Sequence, residues 1–198
     1  TEAQLQQDMP PGPDGIPNEL LLRVSRIVPR VLLDAFNRCL AENEFPVRWK
    51  VSRLVLLHKG PDKPPLAPSS YRPLCMLNST AKLLERLLLS RLNQHLDLTG
   101  QRSENQYGFR HGRSTEDAIQ RVISAARGAA SGATQHRDLC VAVSLDVCNA
   151  FNTVPWPRID AALRRKNVPA YINRTVRSYL QDRTLLVGEA LTARRTTC

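Results

Sequence analysis

Apolar residues recur along this chain in two rhythms, and the change from one to the other predicts its elements. After a turn punctuated by Pro11, Gly12, Pro13 and Gly15, Asn18 opens an apolar helical run. Pro29 starts a second helix, with Val31, Ala35, Phe36, Cys39 and Leu40 on one face. The run "VSRLVLLHK" (51–59) is short and carries β-branched residues at intervals, so it reads as a strand. "GPDKPPLAPSS" (60–70) holds too many prolines for regular structure and must be a loop, because "YRPLCML" (71–77) reads as extended again. Ser79 or Thr80 is the expected cap of a long helix over 81–96. There Ala81, Leu84, Leu88 and Leu92 recur in a stripe wide enough to be buried on more than one side.

Beyond a glycine-bearing loop, Ser114 and Asp117 form a capping-box pattern for a helix reaching about Ala130. "SGATQHR" reads as a flexible connector, and "DLCVAVSLD" (138–146) is the most strand-like run in the chain. Pro157 starts a short helix ending near Asn167. Pro169 precedes another that runs to about Asp182, and "RTLLVG" begins a final strand. Strands separated by pairs of helices predict an α/β or α+β sheet covered by helices.

Composition narrows the picture. A 198-residue chain with 42% hydrophobic residues is long enough for one ordinary core or two small subdomains. No apolar run approaches the roughly 20 residues that cross a bilayer, and the first residues lack signal-peptide character. Lys and Arg together number 28 against 18 Asp and Glu, a net charge of +10. Only positions 50, 59, 63, 82 and 166 are lysine; the rest are arginine, whose planar fork suits phosphate oxygens. Cys39, Cys75, Cys140, Cys148 and Cys198 form no CxxC pair, which argues against a zinc site or a disulfide framework and suits a reducing, intracellular setting. Cys140 and Cys148, in or beside an apolar run, are expected to be small core residues.

Three places carry candidate chemistry. If the strands over 51–59 and 71–77 pair as a hairpin, Lys59 and Arg72 fall at one mouth, where two cations suit a polyphosphate or are merely solvated. "QYGFRHGRST" interleaves Tyr107 and Phe109 with Gly108, Gly112, Arg110 and Arg113, a mixture a nucleic-acid strand can use, or a turn with one buried ring. Asp146 ends the strand-like run. A carboxylate there needs a cation, either an arginine or a metal, and one carboxylate alone holds Mg²⁺ weakly.

The combination "GPDGIP", "LVLLHKG…YRPLCMLNSTAKLLERLLLSRL", "NQYGFRHGRSTEDAI", "SLDVCNAFNTVPW" and "SYLQDRT", in that order, resembles the reverse transcriptase domain of non-LTR (LINE-type) retrotransposons. The resemblance runs from about Pro10 to the C-terminus. It implies a right-hand polymerase fold with helical fingers bearing a β-hairpin (1–135) and an incomplete palm sheet packed on helices (136–198). It implies an RNA-directed DNA polymerase that uses an RNA template, a DNA primer, dNTPs and two Mg²⁺ ions. By the same resemblance Asp146 is the first catalytic, metal-binding aspartate, and Val147 adds a backbone ligand. Phe151, with Ala150 beside it, meets the incoming sugar and disfavours a 2′-OH. Lys59 and Arg72 grip the triphosphate, while Gly108, Arg110 and Arg113 help to hold the template.

Asn152 stands where many members of that family carry Asp. The family's second pair of aspartates and its thumb have no counterpart in these 198 residues, which implies a fragment that is inactive alone. Rival expectations are a non-catalytic RNA- or DNA-binding module and a non-functional relic. The parent element would act in the nucleus.

Overall fold

A computed structural model describes residues 11–131, 139–147, 150–188 and 192–196. Its helices are α1 (Asn18–Ile27), α2 (Pro29–Glu42), α3 (Ser79–Leu98), α4 (Thr115–Ala130), α5 (Ala150–Thr153), α6 (Trp156–Arg165) and α7 (Ala170–Leu180). Its strands are β1 (Val51–His58), β2 (Tyr71–Leu77), β3 (Arg183–Val187) and β4 (Thr192–Thr196). The chain divides into two units: residues 1–95 with 155–198, and residues 96–154.

The first unit is built on one mixed sheet in the order β2-β1-β3-β4. β1 and β2 form the expected antiparallel hairpin, with His58 opposite Tyr71 and Ser52 opposite Leu77. β3 lies parallel to β1, with Val51 opposite Thr184. The strand expected at "RTLLVG" lies inside the sheet, and β4 pairs antiparallel on its far side.

The core gathers where α2 ends. Asn43 sits in the left-handed region (φ 57°), a conformation asparagine tolerates better than most residues, and closes the helix through bonds to Leu40 O and Cys39 O. That reversal turns Phe45 inward, where it is 0% exposed among Cys39, Leu40, Leu77, Ala81, Leu84 and Leu88. Trp49 meets the rings of Phe36 and Phe45 edge-on at 6.0 and 6.4 Å, and Tyr179 meets Phe45 at 4.7 Å. The predicted α2 face is buried only toward its C-terminal end: Cys39 and Leu40 are covered, whereas Val31 is 58% exposed because the core lies beyond the helix's first turns. On α3, Leu83 and Leu84 are both buried, as a stripe covered on more than one side requires.

Polar groups fasten these pieces together. Lys50, only 4% exposed, donates to Ser178 O near the end of α7 (2.9 Å), one of the carbonyls a helix terminus leaves open. Ser178 Oγ in turn accepts from Phe45 N at 2.9 Å. The residue before α3 is Asn78, so Ser79 and Thr80 lie inside its first turn rather than capping it. Asn78 Oδ1 accepts from Asp14 N (3.1 Å), and Ser79 Oγ donates to Asn18 Oδ1, which docks the N-terminal turn on the start of α3.

In the second unit the capping box forms as the sequence predicts: Ser114 Oγ accepts from Asp117 N (3.1 Å), and Ser114 N donates to Asp117 Oδ2 (2.8 Å). The Ser114 hydroxyl, which also donates to Asp117 Oδ2 (2.9 Å), and then the Ser114 N–H hold the Asp117 carboxyl below its ordinary pKa. The strand expected over 138–146 is absent among its described residues 139–146, and residue 138 lies outside what is described. Residues 139–147 make no ladder among the described residues, and Leu139 and Leu145 are 96% and 89% exposed. Alternating side chains give such a run a preferred face, but a strand also needs a neighbour to accept its backbone bonds. Cys140 is accordingly exposed rather than a core residue, and Cys148 lies outside the described residues.

Candidate nucleotide and nucleic-acid site

Hairpin register decides where the first pair of cations goes. Leu57 is opposite Arg72 and His58 opposite Tyr71, so Lys59, just past β1, falls diagonally across from Arg72 on the same face. Lys59 is not a loose charge. Its Nζ donates to Ser69 O (2.7 Å) and its backbone N to Ser70 O (2.8 Å), while Tyr71 OH donates to Pro65 O (2.8 Å). The proline-rich loop is thereby latched at its base by the residue expected to bind phosphate. Arg72 stands exposed beside it. The two cations share one side of the hairpin mouth, an arrangement that can meet two phosphate oxygens at once.

The second unit holds the other candidates. In the loop before α4, Phe109 adopts φ 55° and is 90% exposed, so the alternative of a buried ring does not hold for it. Gly112 takes φ 72°, where a side chain would be strained, and nothing lies within 4 Å of a Cβ added at Gly108. Arg110 Nη1 donates to Ser103 O (2.9 Å), and the Arg113 guanidinium stacks 5.4 Å from the centre of the Tyr107 ring. Both arginines are oriented by the loop itself, yet both remain at the surface or near it.

Asp146 is exposed at the end of the extended run, with Val147 beside it 68% exposed. It has no ion-pair partner among the described residues. Ala150 opens α5 and is half-buried, and the Phe151 side chain lies outside what is described. Among the described residues no three His, Cys, Asp or Glu side chains gather as metal ligands. One exposed carboxylate does not satisfy an ion that prefers six oxygens, so these residues do not by themselves fit a resident Mg²⁺. No described helix is long and apolar enough to cross a membrane.

Sequence reasoning passed over Asn78, whose side chain bonds both Asp14 N and, at 3.4 Å, Arg48 O. Its position between a strand and a helix gave the one available signal, since asparagine there commonly bonds backbone.

Comparison with known proteins identifies the family. The family model described as "Reverse transcriptase (RNA-dependent DNA polymerase)" matches residues 58–197. The chain is 36% identical over 163 residues to a putative 115 kDa protein in the type-1 retrotransposable element R1DM of Drosophila melanogaster, covering 82% of this chain and 15% of that protein. It is 34% identical over 179 residues to a probable RNA-directed DNA polymerase from transposon BS of the same fly, covering 89% and 19% respectively. It is 31% identical over 186 residues to the RNA-directed DNA polymerase from the mobile element jockey, covering 94% and 20%. The chain thus spans less than a quarter of the length of these relatives. With a family match that begins at the hairpin's His58 and runs through the Asp146 segment to β4, this chain belongs to the reverse transcriptase family, among the sequences of non-LTR retrotransposons.

Proposed function

We propose that the chain is the dNTP- and template-facing part of an RNA-directed DNA polymerase of a non-LTR retrotransposon, with fingers over 1–135 and the first part of a palm over 136–198. The family match across residues 58–197 carries this reading. In it, Lys59 and Arg72 hold the triphosphate, and Gly108, Arg110 and Arg113 line the template. Phe151 with Ala150 selects the deoxyribose, and Asp146, with the Val147 carbonyl, supplies one part of the ligand set for the two Mg²⁺ ions such chemistry uses. RNA template, DNA primer and dNTPs are the partners, and the nucleus is where a chromosomal target would be met. One carboxylate supplies too little of that ligand set, so this chain alone should not extend a primer. The test is primer extension on an RNA template. In the longer element protein, Asp146→Asn should lower dNTP incorporation at least about a hundredfold. Incorporation by the isolated chain, or an unaffected Asp146→Asn variant, would contradict the assignment.

The absence of a carboxylate cluster among the described residues, with a net charge of +10, favours a second reading for the isolated chain: salt-sensitive RNA binding without catalysis. Arg110→Ala should weaken it while Asp146→Ala should not.

A further inference from the structure

The helix pair α6–α7 carries a groove to which the polymerase reading assigns no role, although Trp156 and Leu180 lie within the stretches that carry the resemblance. Between Trp156 and Arg183 there are seven basic residues against two acidic ones, half of the net charge of the whole chain. Asn167, in the left-handed region at φ 47°, and buried Val168 make the tight link that sets the two helices side by side. The groove between them has a volume of about 320 Å³ and apolar walls from Trp156, Ile159, Leu163, Val176 and Leu180. A second groove adjoins it, and Asp160, Arg164, Asn173 and Arg177 line both.

Each part of this site has a chemical counterpart in one nucleotide of a single strand. Trp156, half-buried at the groove, gives a flat apolar surface on which a base can stack. Arg174 and Arg177 stand exposed on α7, and Arg164 Nε is held at the rim by Asp160 (3.0 Å), so guanidinium groups surround the opening. Asn173 Oδ1 is screened from solvent and has no hydrogen-bond partner among the described residues, an unfavourable state for a buried acceptor. An amide with nothing to give up turns readily toward a ligand that offers a donor, and asparagine pairs with the adenine edge through both its oxygen and its nitrogen.

We propose that the α6–α7 groove binds an unpaired base of single-stranded nucleic acid, adenine best, with the flanking phosphates on Arg164, Arg174 and Arg177. This inference is independent of the polymerase assignment, since it needs neither metal nor turnover. The test is fluorescence anisotropy of the 198-residue chain at low salt with two labelled probes of equal length, an oligoadenylate and an abasic sugar–phosphate strand. The oligoadenylate should bind the tighter of the two. Asn173→Leu should weaken oligoadenylate about three- to tenfold, the worth of a hydrogen bond, and leave the abasic strand unchanged. Arg174→Glu with Arg177→Glu, both at exposed positions, should weaken both probes by about tenfold or more, and far-UV circular dichroism should match the parent. Equal affinity for the two probes, an Asn173→Leu effect common to both, or no response to the double reversal would overturn the proposal. Equally tight binding of a polyglutamate peptide would also overturn it, as the mark of a site for acidic polypeptide.

Discussion

Replacing Phe45 with alanine tests the junction that holds α7 to the rest of its unit. The ring is 0% exposed and lies against Tyr179 at 4.7 Å and Trp49 at 6.4 Å. Full burial of a phenylalanine contributes about 1.5–3 kcal/mol, and each well-placed aromatic pair adds about 0.5–1.5 kcal/mol. With partial relaxation of the void, Phe45→Ala should cost about 3–5 kcal/mol, a large part of the stability of an ordinary domain. Val31 on α2, 58% exposed, serves as the control, and Val31→Ala should change stability by no more than about 0.5 kcal/mol. Urea unfolding followed by tryptophan emission is a suitable assay, because Trp49 touches the altered ring. With a slope near 2 kcal/mol/M, the midpoint for Phe45→Ala should fall by roughly 2 M. A loss below about 1 kcal/mol, or an equal loss from Val31→Ala, would refute the placement of the core at the end of α2.

Two further outcomes follow from the polar fastenings. Burial, followed by the negative charge of Glu85, pushes the Tyr179 hydroxyl well above its ordinary pKa of 10.0. The unfolded chain therefore ionises first, so stability present below pH about 10 should fall as pH rises beyond it, and Tyr179→Phe should flatten that alkaline limb of a thermal-melt series. At Gly12, an added Cβ would lie 2.5 Å from Asn78 Cα, so Gly12→Ala must displace the N-terminal turn. Amide exchange at Asp14, whose N–H is bonded to Asn78, should quicken about fivefold or more, corresponding to roughly 1 kcal/mol, and an unchanged rate would count against the docking.

Local chemistry was readable from the sequence, and remote pairing was not. The Ser114–Asp117 box and the buried stripe of α3 are settled by residues three or four positions apart, the hairpin by two runs joined through one loop, and all three form. The 138–146 run has alternation as clear as that of any strand here, but alternation names a face and no neighbour. Nothing local marks Lys50 as buried, because its burial depends on a carbonyl 128 positions away. The hairpin register follows from the two runs, yet the bond from Lys59 to Ser69 depends on the path of the loop. The α6–α7 groove was invisible as a site, because each helix shows only scattered arginines until the Asn167 turn brings them together.

The parallel pairing of β1 with β3 imposes an order of events on synthesis. Ser52 and Thr184 are 132 positions apart, so at about 5–20 residues per second the ribosome delivers the second roughly 7–26 s after the first. Throughout that interval the hairpin can close, but β1 keeps a bare flank, and whatever shields it until β3 arrives governs how much of the nascent chain escapes aggregation.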